Sequence, residues 1–166
     1  MLSLKESLKI LKETKALIEG HFILSSGLHS PTYVQCAQLM SKPSQAAQIC
    51  ESLAKKIKSK TNDIDLILSP AMGGIVVGYE IGKLLGIETI FSERVNGKFE
   101  LRRGFKIKQG ANVLIVEDVI TTGKSSVECS MLVTINKANI SGYACIIDRS
   151  NGKTEINDKI ISQIKL

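Results

Sequence analysis

Glu117 and Asp118 stand side by side and are followed without a break by Val119, Ile120, Thr121, Thr122, Gly123, Lys124 and Ser125. Two adjacent carboxylates can accept hydrogen bonds from the two hydroxyls of a ribose. A turn of small and hydroxyl-bearing residues that leads into a helix can hold a phosphate, through free backbone N–H groups and the positive end of the helix dipole. A ligand carrying both a ribose and a phosphate would satisfy both halves. The apolar run Val113 to Val116 reads as a buried strand that ends at the acids, and a helical pattern starts at Ser125. An ordinary polar connection would not need two acids, two threonines and a glycine in one turn.

Two better-known phosphate motifs fail on spacing. Gly123-Lys124-Ser125 looks like the end of a P-loop, but that loop needs a glycine five positions before its second glycine. Asp118 occupies that position, and its carboxylate would repel a triphosphate. The dinucleotide fingerprint is excluded as well, because no G-x-G-x-x-G follows this strand.

The elements that must position these groups can be read outward from them. Leu66 to Leu68, Thr89 to Ser92 and Tyr143 to Ile147 read as further strands. Ser44 to Lys58, Gly74 to Leu85 and Ser125 to Lys137 read as helices between them, with Gly86 as a C-cap. Gly78 and Gly82 share one side of their helix and would allow close approach to a sheet. Regular alternation from Ser44 to Asp148 predicts an α/β fold, a mostly parallel sheet flanked by helices with right-handed crossovers. Ligands of such sheets lie beyond the carboxyl ends of the strands. Segments 69–74, 92–94, 117–125 and 148–149 are therefore expected to line one cleft. Residues 1–43 fall outside the alternation and are predicted to form mainly a small hood, with a first helix running to Gly20, short extended pieces at His21 to Leu24 and Tyr33 to Gln35, and help from the C-terminal tail. Residues 44–150 would form the core of a single 166-residue domain.

Composition narrows the functional classes. Hydrophobic residues make up 43% of the chain, enough for a sizeable core, yet no apolar run approaches the roughly 18 residues of a membrane span. Cys36, Cys50, Cys129 and Cys145 make no C-x-x-C pair, so they read as small core residues of a cytoplasmic protein and not as a metal or redox motif. The net charge is +6, but the lysines are scattered and aromatics are only 4%. That distribution argues against a nucleic-acid surface and suits a polyanionic small substrate.

The stretch from Val113 to Ser125 closely resembles the phosphoribosyl pyrophosphate (PRPP) motif of type I phosphoribosyltransferases. The resemblance implies that the acids hold the ribose hydroxyls and that the turn holds the 5-phosphate. It also implies that Ala71, Met72, Gly73 and Gly74, a strand-to-helix turn of small residues, form a pyrophosphate loop. The charged insertion Glu93 to Gly110 corresponds to a catalytic lid, with a solvated β-hairpin as the alternative; Arg94 and Lys98 are the first choices for contact with diphosphate, ahead of Arg102 and Arg103. The segment Gly20 to Tyr33 is similar to the N-terminal signature of orotate phosphoribosyltransferases. From that branch come Arg149 as partner of the orotate carboxylate, and Thr121 and Tyr33 at the pyrimidine. His21 and His29 read as structural or surface residues. The resemblance further implies Mg²⁺ held mainly through PRPP and water, with no protein ligand set, and a homodimer whose lid reaches the neighbouring site. Three departures bear on substrate choice: Ser25 and Gly73 stand where many orotate enzymes carry lysine, and the lid lacks their Lys-rich, His-containing run. A purine phosphoribosyltransferase, and a non-catalytic PRPP-binding regulator of nucleic acid, are the alternatives.

Overall fold

The computed structural model describes residues 1–23, 27 and 29–166. Leu24, Ser25, Ser26 and Leu28 lie outside the described residues, and with them the end of the first extended piece and most of the Ser-Ser-Gly turn of the hood.

The chain runs α1 (Leu4–Glu13), β1 (Leu17–Ile23), β2 (His29–Val34), α2 (Cys36–Met40), α3 (Pro43–Lys60), β3 (Leu66–Pro70), α4 (Gly73–Leu85), β4 (Glu88–Val95), β5 (Lys98–Leu101), β6 (Asn112–Ile120), α5 (Lys124–Ile135), β7 (Asn139–Asp148) and β8 (Ile160–Lys165). Six strands form one sheet in the order β5-β4-β3-β6-β7-β8. All neighbours are parallel except the β4–β5 hairpin. β3 is followed on one side by β4 and on the other by β6, so the order reverses between β3 and β6. That reversal is where ligands of open α/β sheets bind.

Strand alternation sends successive side chains to opposite faces, and each face has its own core. Leu114 and Val116 join Ile67, Val77 and Ile81 with the buried sides of α1 and α3. Val113 and Ile115 join Leu66, Leu68, Cys129 and Val133 beneath α5. α4 can lie close to the sheet because it carries glycines where it crosses: a Cβ on Gly78 would collide with Ser69 Oγ, and one on Gly82 with Thr89 Oγ1. The helix ends at Gly86 in the left-handed conformation, the cap read from the sequence.

Three sequence expectations are corrected. The first helix stops at Glu13, capped by Thr14, and Lys15 turns the chain at φ 58° into β1. The next turn of the helix would have placed Thr14 and Lys15, not apolar residues, on its buried face. The C-terminal tail meets the N-terminal segment through α1 but is itself a strand of the main sheet. It forms β8, parallel to β7, and α1 packs on it, with Gln163 Nε2 donating to Ser7 Oγ at 2.8 Å. Finally, the strand read from Val113 does not end at the acids. β6 continues through Glu117 and Asp118 to Ile120.

Candidate active site

Extension of β6 through the acids fixes where each one points. Glu117 follows the odd-numbered side chains toward α5, where Ser126 and Cys129 lie. Asp118 follows the even-numbered ones toward α4 and α2. There Cys36 Sγ lies 3.9 Å from its carbonyl oxygen, and a Cβ on Gly73 would fall 2.5 Å from Asp118 Oδ2. The Gly73-Gly74 pair is therefore a packing requirement, since a Cβ on Gly74 would sit 3.0 Å from the Val116 carbonyl oxygen. The two loops predicted to share a ligand are in contact at the point where the strand order reverses. Ala71 N–H donates to Ser92 O at 2.8 Å, which ties the first loop to β4 as well.

The two carboxyls have different surroundings. Glu117 is only 7% exposed. Burial, reinforced by the charge of Asp118, raises its pKa to about 7, and the nearby Ser126 hydroxyl offsets only part of that rise. Among the described residues the buried Ser126 Oγ has no hydrogen-bond partner, so it approaches the carboxyl without bonding geometry. Burial also raises Asp118, but its Oδ1 accepts the Val119 N–H at 2.9 Å, which opposes the rise. The neighbouring thiols are poor nucleophiles: burial pushes Cys129 up to about 12 and Cys36 higher still.

Beyond β6, Thr121 and Thr122 are exposed and Gly123 sits at φ 79° as the N-cap of α5. Lys124 N–H donates to Thr122 Oγ1 at 3.3 Å. The loop is backed by the segment after β7. Glu155 N–H donates to Thr122 O at 2.8 Å, and Thr154 Oγ1 donates to the same oxygen at 3.0 Å. Arg149 N–H donates to Ile120 O at 2.8 Å, placing that arginine beside the motif, and its Nη2 lies 3.4 Å from Ser30 Oγ on the β1–β2 hairpin. Asp148, which precedes it, is occupied by Ser150, whose N–H and Oγ donate to Oδ1 at 2.9 and 2.6 Å. Tyr33 lies on β2, part exposed, its ring 5.6 Å from that of Phe22. No described contact joins it to the acids.

The insertion predicted as a lid without its own pattern is in part an antiparallel hairpin, β4–β5. It turns at Asn96-Gly97, both at positive φ, and that dipeptide is the hairpin signal in the sequence. Arg94 does not point into open cleft. Its Nη2 donates to Glu128 Oε2 at 2.6 Å, its Nη1 donates to Gly97 O at 2.6 Å, and its guanidinium stacks on Phe99. Lys98 is exposed beyond the turn. Arg103 forks onto Glu93 through Nε and Nη2, both at 2.8 Å. Sequence reasoning missed Glu128, Thr154 and the backing segment, since none carries a local motif. A recess of about 1420 Å³ lies elsewhere, between the 150–159 loop, Lys56, Lys60 and β8.

The two loops thus meet at the sheet's reversal point, where an acid pair stands beside a small-residue turn at a helix N-terminus. The phosphoribosyl transferase domain matches residues 37–165. A protein named orotate phosphoribosyltransferase from Chlorobium phaeobacteroides is 49% identical over 95% of this chain and 80% of its own. One of the same name from Parvibaculum lavamentivorans is 44% identical over 95% and 84%. The crystal structure of orotate phosphoribosyltransferase from Aeropyrum pernix shares the fold with a TM-score of 0.82, at 22% identity over 95% of this chain and 92% of that one. The chain belongs to the phosphoribosyl transferase family, and within it to the orotate phosphoribosyltransferases. Among the described residues no helix is long and apolar enough to cross a membrane.

Proposed function

We propose that the enzyme transfers the 5-phosphoribosyl group of PRPP to orotate, giving orotidine 5′-monophosphate and diphosphate in the synthesis of pyrimidine nucleotides. The observation that carries this reading is the approach of Gly73 to Asp118. It sets a diphosphate loop against a ribose-and-phosphate motif, so one ligand can bridge both. Glu117 and Asp118 accept the ribose hydroxyls from the two faces of β6, Thr121 to Ser125 cradle the 5-phosphate, and Ala71 to Gly74 hold the diphosphate. The Arg149 fork pairs with the orotate carboxylate, with Thr121 and Tyr33 toward the ring.

The chemistry is a displacement at the anomeric carbon. A bond forms to the orotate ring nitrogen as the bond to diphosphate oxygen breaks, with oxocarbenium character resembling that of glycoside hydrolysis. The protein aligns the two partners and excludes water, and such alignment contributes roughly 7–11 kcal/mol. Arg94 and Lys98 neutralise the departing diphosphate. For Arg94 this means exchanging Glu128 for the ligand. An exposed ion pair is worth about 0–1 kcal/mol, so a polyanion outcompetes it. The hard, oxygen-only donors here suit Mg²⁺: Asp118 Oδ2 faces the diphosphate loop and would hold the ion through water. When bound, Mg²⁺ supplies charge neutralisation on PRPP oxygens.

A homodimer is part of this proposal. Val76 and Tyr79 on α4, with Met72 in the loop that precedes it, are exposed large apolar residues, a surface suited to a second copy. The purine alternative is not favoured, because relatives at 44–49% identity are named for orotate. The test is diphosphate release from PRPP with Mg²⁺ and, in turn, orotate, adenine, guanine, hypoxanthine and xanthine. Release with a purine and none with orotate would refute the assignment.

A further inference from the structure

We propose that Thr154 is a positioning residue for the phosphate loop, acting through the carbonyl of Thr122. The inference rests on the reading of Thr121 to Ser125 as the 5-phosphate cradle and adds to it a residue from a separate segment of chain.

Three observations meet at one peptide. Thr122 O accepts two hydrogen bonds from the backing segment, from Glu155 N–H at 2.8 Å and from Thr154 Oγ1 at 3.0 Å. The Thr154 hydroxyl is itself held in place, because it accepts the Ile156 N–H at 3.1 Å. And Gly123 lies so close to this segment that a Cβ on it would fall 2.5 Å from Thr154 Oγ1 and 2.8 Å from Ile156 Cγ1.

The consequence follows from peptide geometry. In a trans peptide the C=O and the following N–H point in opposite directions. Two donors that hold the Thr122 carbonyl toward residues 154–155 therefore turn the Gly123 N–H away from that segment. Among the described residues this N–H has no acceptor, so it is free to meet a phosphate oxygen at the start of α5. Rotation of the Thr122–Gly123 peptide, easy for a glycine at φ 79°, would withdraw the donor. The Thr154 hydroxyl opposes that rotation before any ligand arrives. It keeps the donor preorganised, so the ordering cost is not taken from the binding of PRPP.

The test is Thr154→Val, which keeps the branched shape against Gly123 and removes the hydroxyl, with Thr154→Ser as the restoring variant. Binding of ribose 5-phosphate is measured by calorimetry without metal, and the KM for PRPP, the KM for orotate and inhibition by diphosphate are measured by the orotate assay. The valine variant is expected to bind ribose 5-phosphate about tenfold more weakly, which is about 1.4 kcal/mol, and to raise the KM for PRPP in step. Orotate KM and diphosphate inhibition stay within twofold, and serine restores the wild-type values. A merely structural role would lower the melting temperature and weaken all ligands together, and that result overturns the proposal. So does unchanged ribose 5-phosphate affinity in the valine variant, with the cradle itself left standing. Failure of the wild-type protein to bind ribose 5-phosphate would overturn the cradle and the proposal together.

Discussion

Replacing Glu117 by glutamine should change how the stability of the ligand-free enzyme depends on pH. The Glu117 carboxyl is buried beside Asp118, and its pKa is raised from 4.5 to about 7. The folded state thus prefers it protonated. The linkage sign for a raised acid is that its favourable contribution is complete below the unfolded-state value and is lost as pH rises through the folded-state value. At ~1.4 kcal/mol per pH unit of displacement, ionising Glu117 costs the folded protein about 3 kcal/mol across the window from pH 4.5 to just above 7. Glutamine keeps the volume and cannot ionise, so the variant lacks this loss. Urea unfolding of both proteins at half-unit steps from pH 4.5 to 8, without ligand, gives the difference directly. The variant should gain on the wild type as pH rises, by about 3 kcal/mol at the end of the window. A difference that stays flat with pH would refute the argument that burial governs this carboxyl. In the same variant PRPP binding should weaken, because a neutral amide accepts the ribose hydroxyl less strongly than a carboxylate.

Asp118→Asn should lower kcat while leaving the melting temperature within a few degrees, since Asp118 faces the cleft; unchanged kinetics with PRPP would remove it from the site. Arg149→Ala should raise the KM for orotate by at least about tenfold, the scale of a lost charged hydrogen-bonded pair, with PRPP nearly unaffected; an equal loss for both would show that the fork does not meet the orotate carboxylate. Gly78→Ala should cost roughly 1–3 kcal/mol by overpacking, because the new methyl would collide with Ser69 Oγ; a thermal melt that does not move would disprove the tight approach of α4. Glu128→Gln should free Arg94 and lower the KM for PRPP about two- to fivefold, the scale of a released exposed ion pair; an increase would mean that Glu128 serves binding and does not compete with it.

The parts of this fold that could be read from the sequence were those set by local rules. Buried runs such as Val113 to Val116 and Leu66 to Leu68, the C-cap at Gly86 and the small residues facing the sheet at Gly78 and Gly82 each answer to one short-range requirement. The misses have distributed causes. β8 was not assigned because Gln163, buried and bonded to Ser7, breaks the apolar pattern that would have marked a strand. The first helix was read too long because Leu17, a strand residue, is apolar like the helical face before it. The β4–β5 hairpin, the alternative reading of its segment, had a local signal in Asn96-Gly97 that the surrounding charge obscured. Glu128 and Thr154 could not have been found, since each matters through a partner about 30 residues away, Arg94 or Thr122, and neither stands in a motif.

Where β6 ends changes what the acid pair can do. In a turn, Glu117 and Asp118 could have pointed the same way and acted as interchangeable acceptors. In a strand they point to opposite faces of the sheet near the carboxyl end of β6, and their surroundings differ accordingly. Glu117 lies among α5 residues and is largely cut off from water, so its charge is costly until a ligand hydroxyl compensates it. Asp118 faces the Gly73 loop, and its charge is supported by the Val119 N–H. Under the proposed function the first would suit a contact made strong by desolvation once ribose arrives, and the second the side that faces the diphosphate. The N-terminus of α5 lies on one face of this strand end and the Gly73 loop on the other. Under the proposed function it is this arrangement, more than the identity of either acid, that would select a ribose substituted with phosphate at one end and diphosphate at the other.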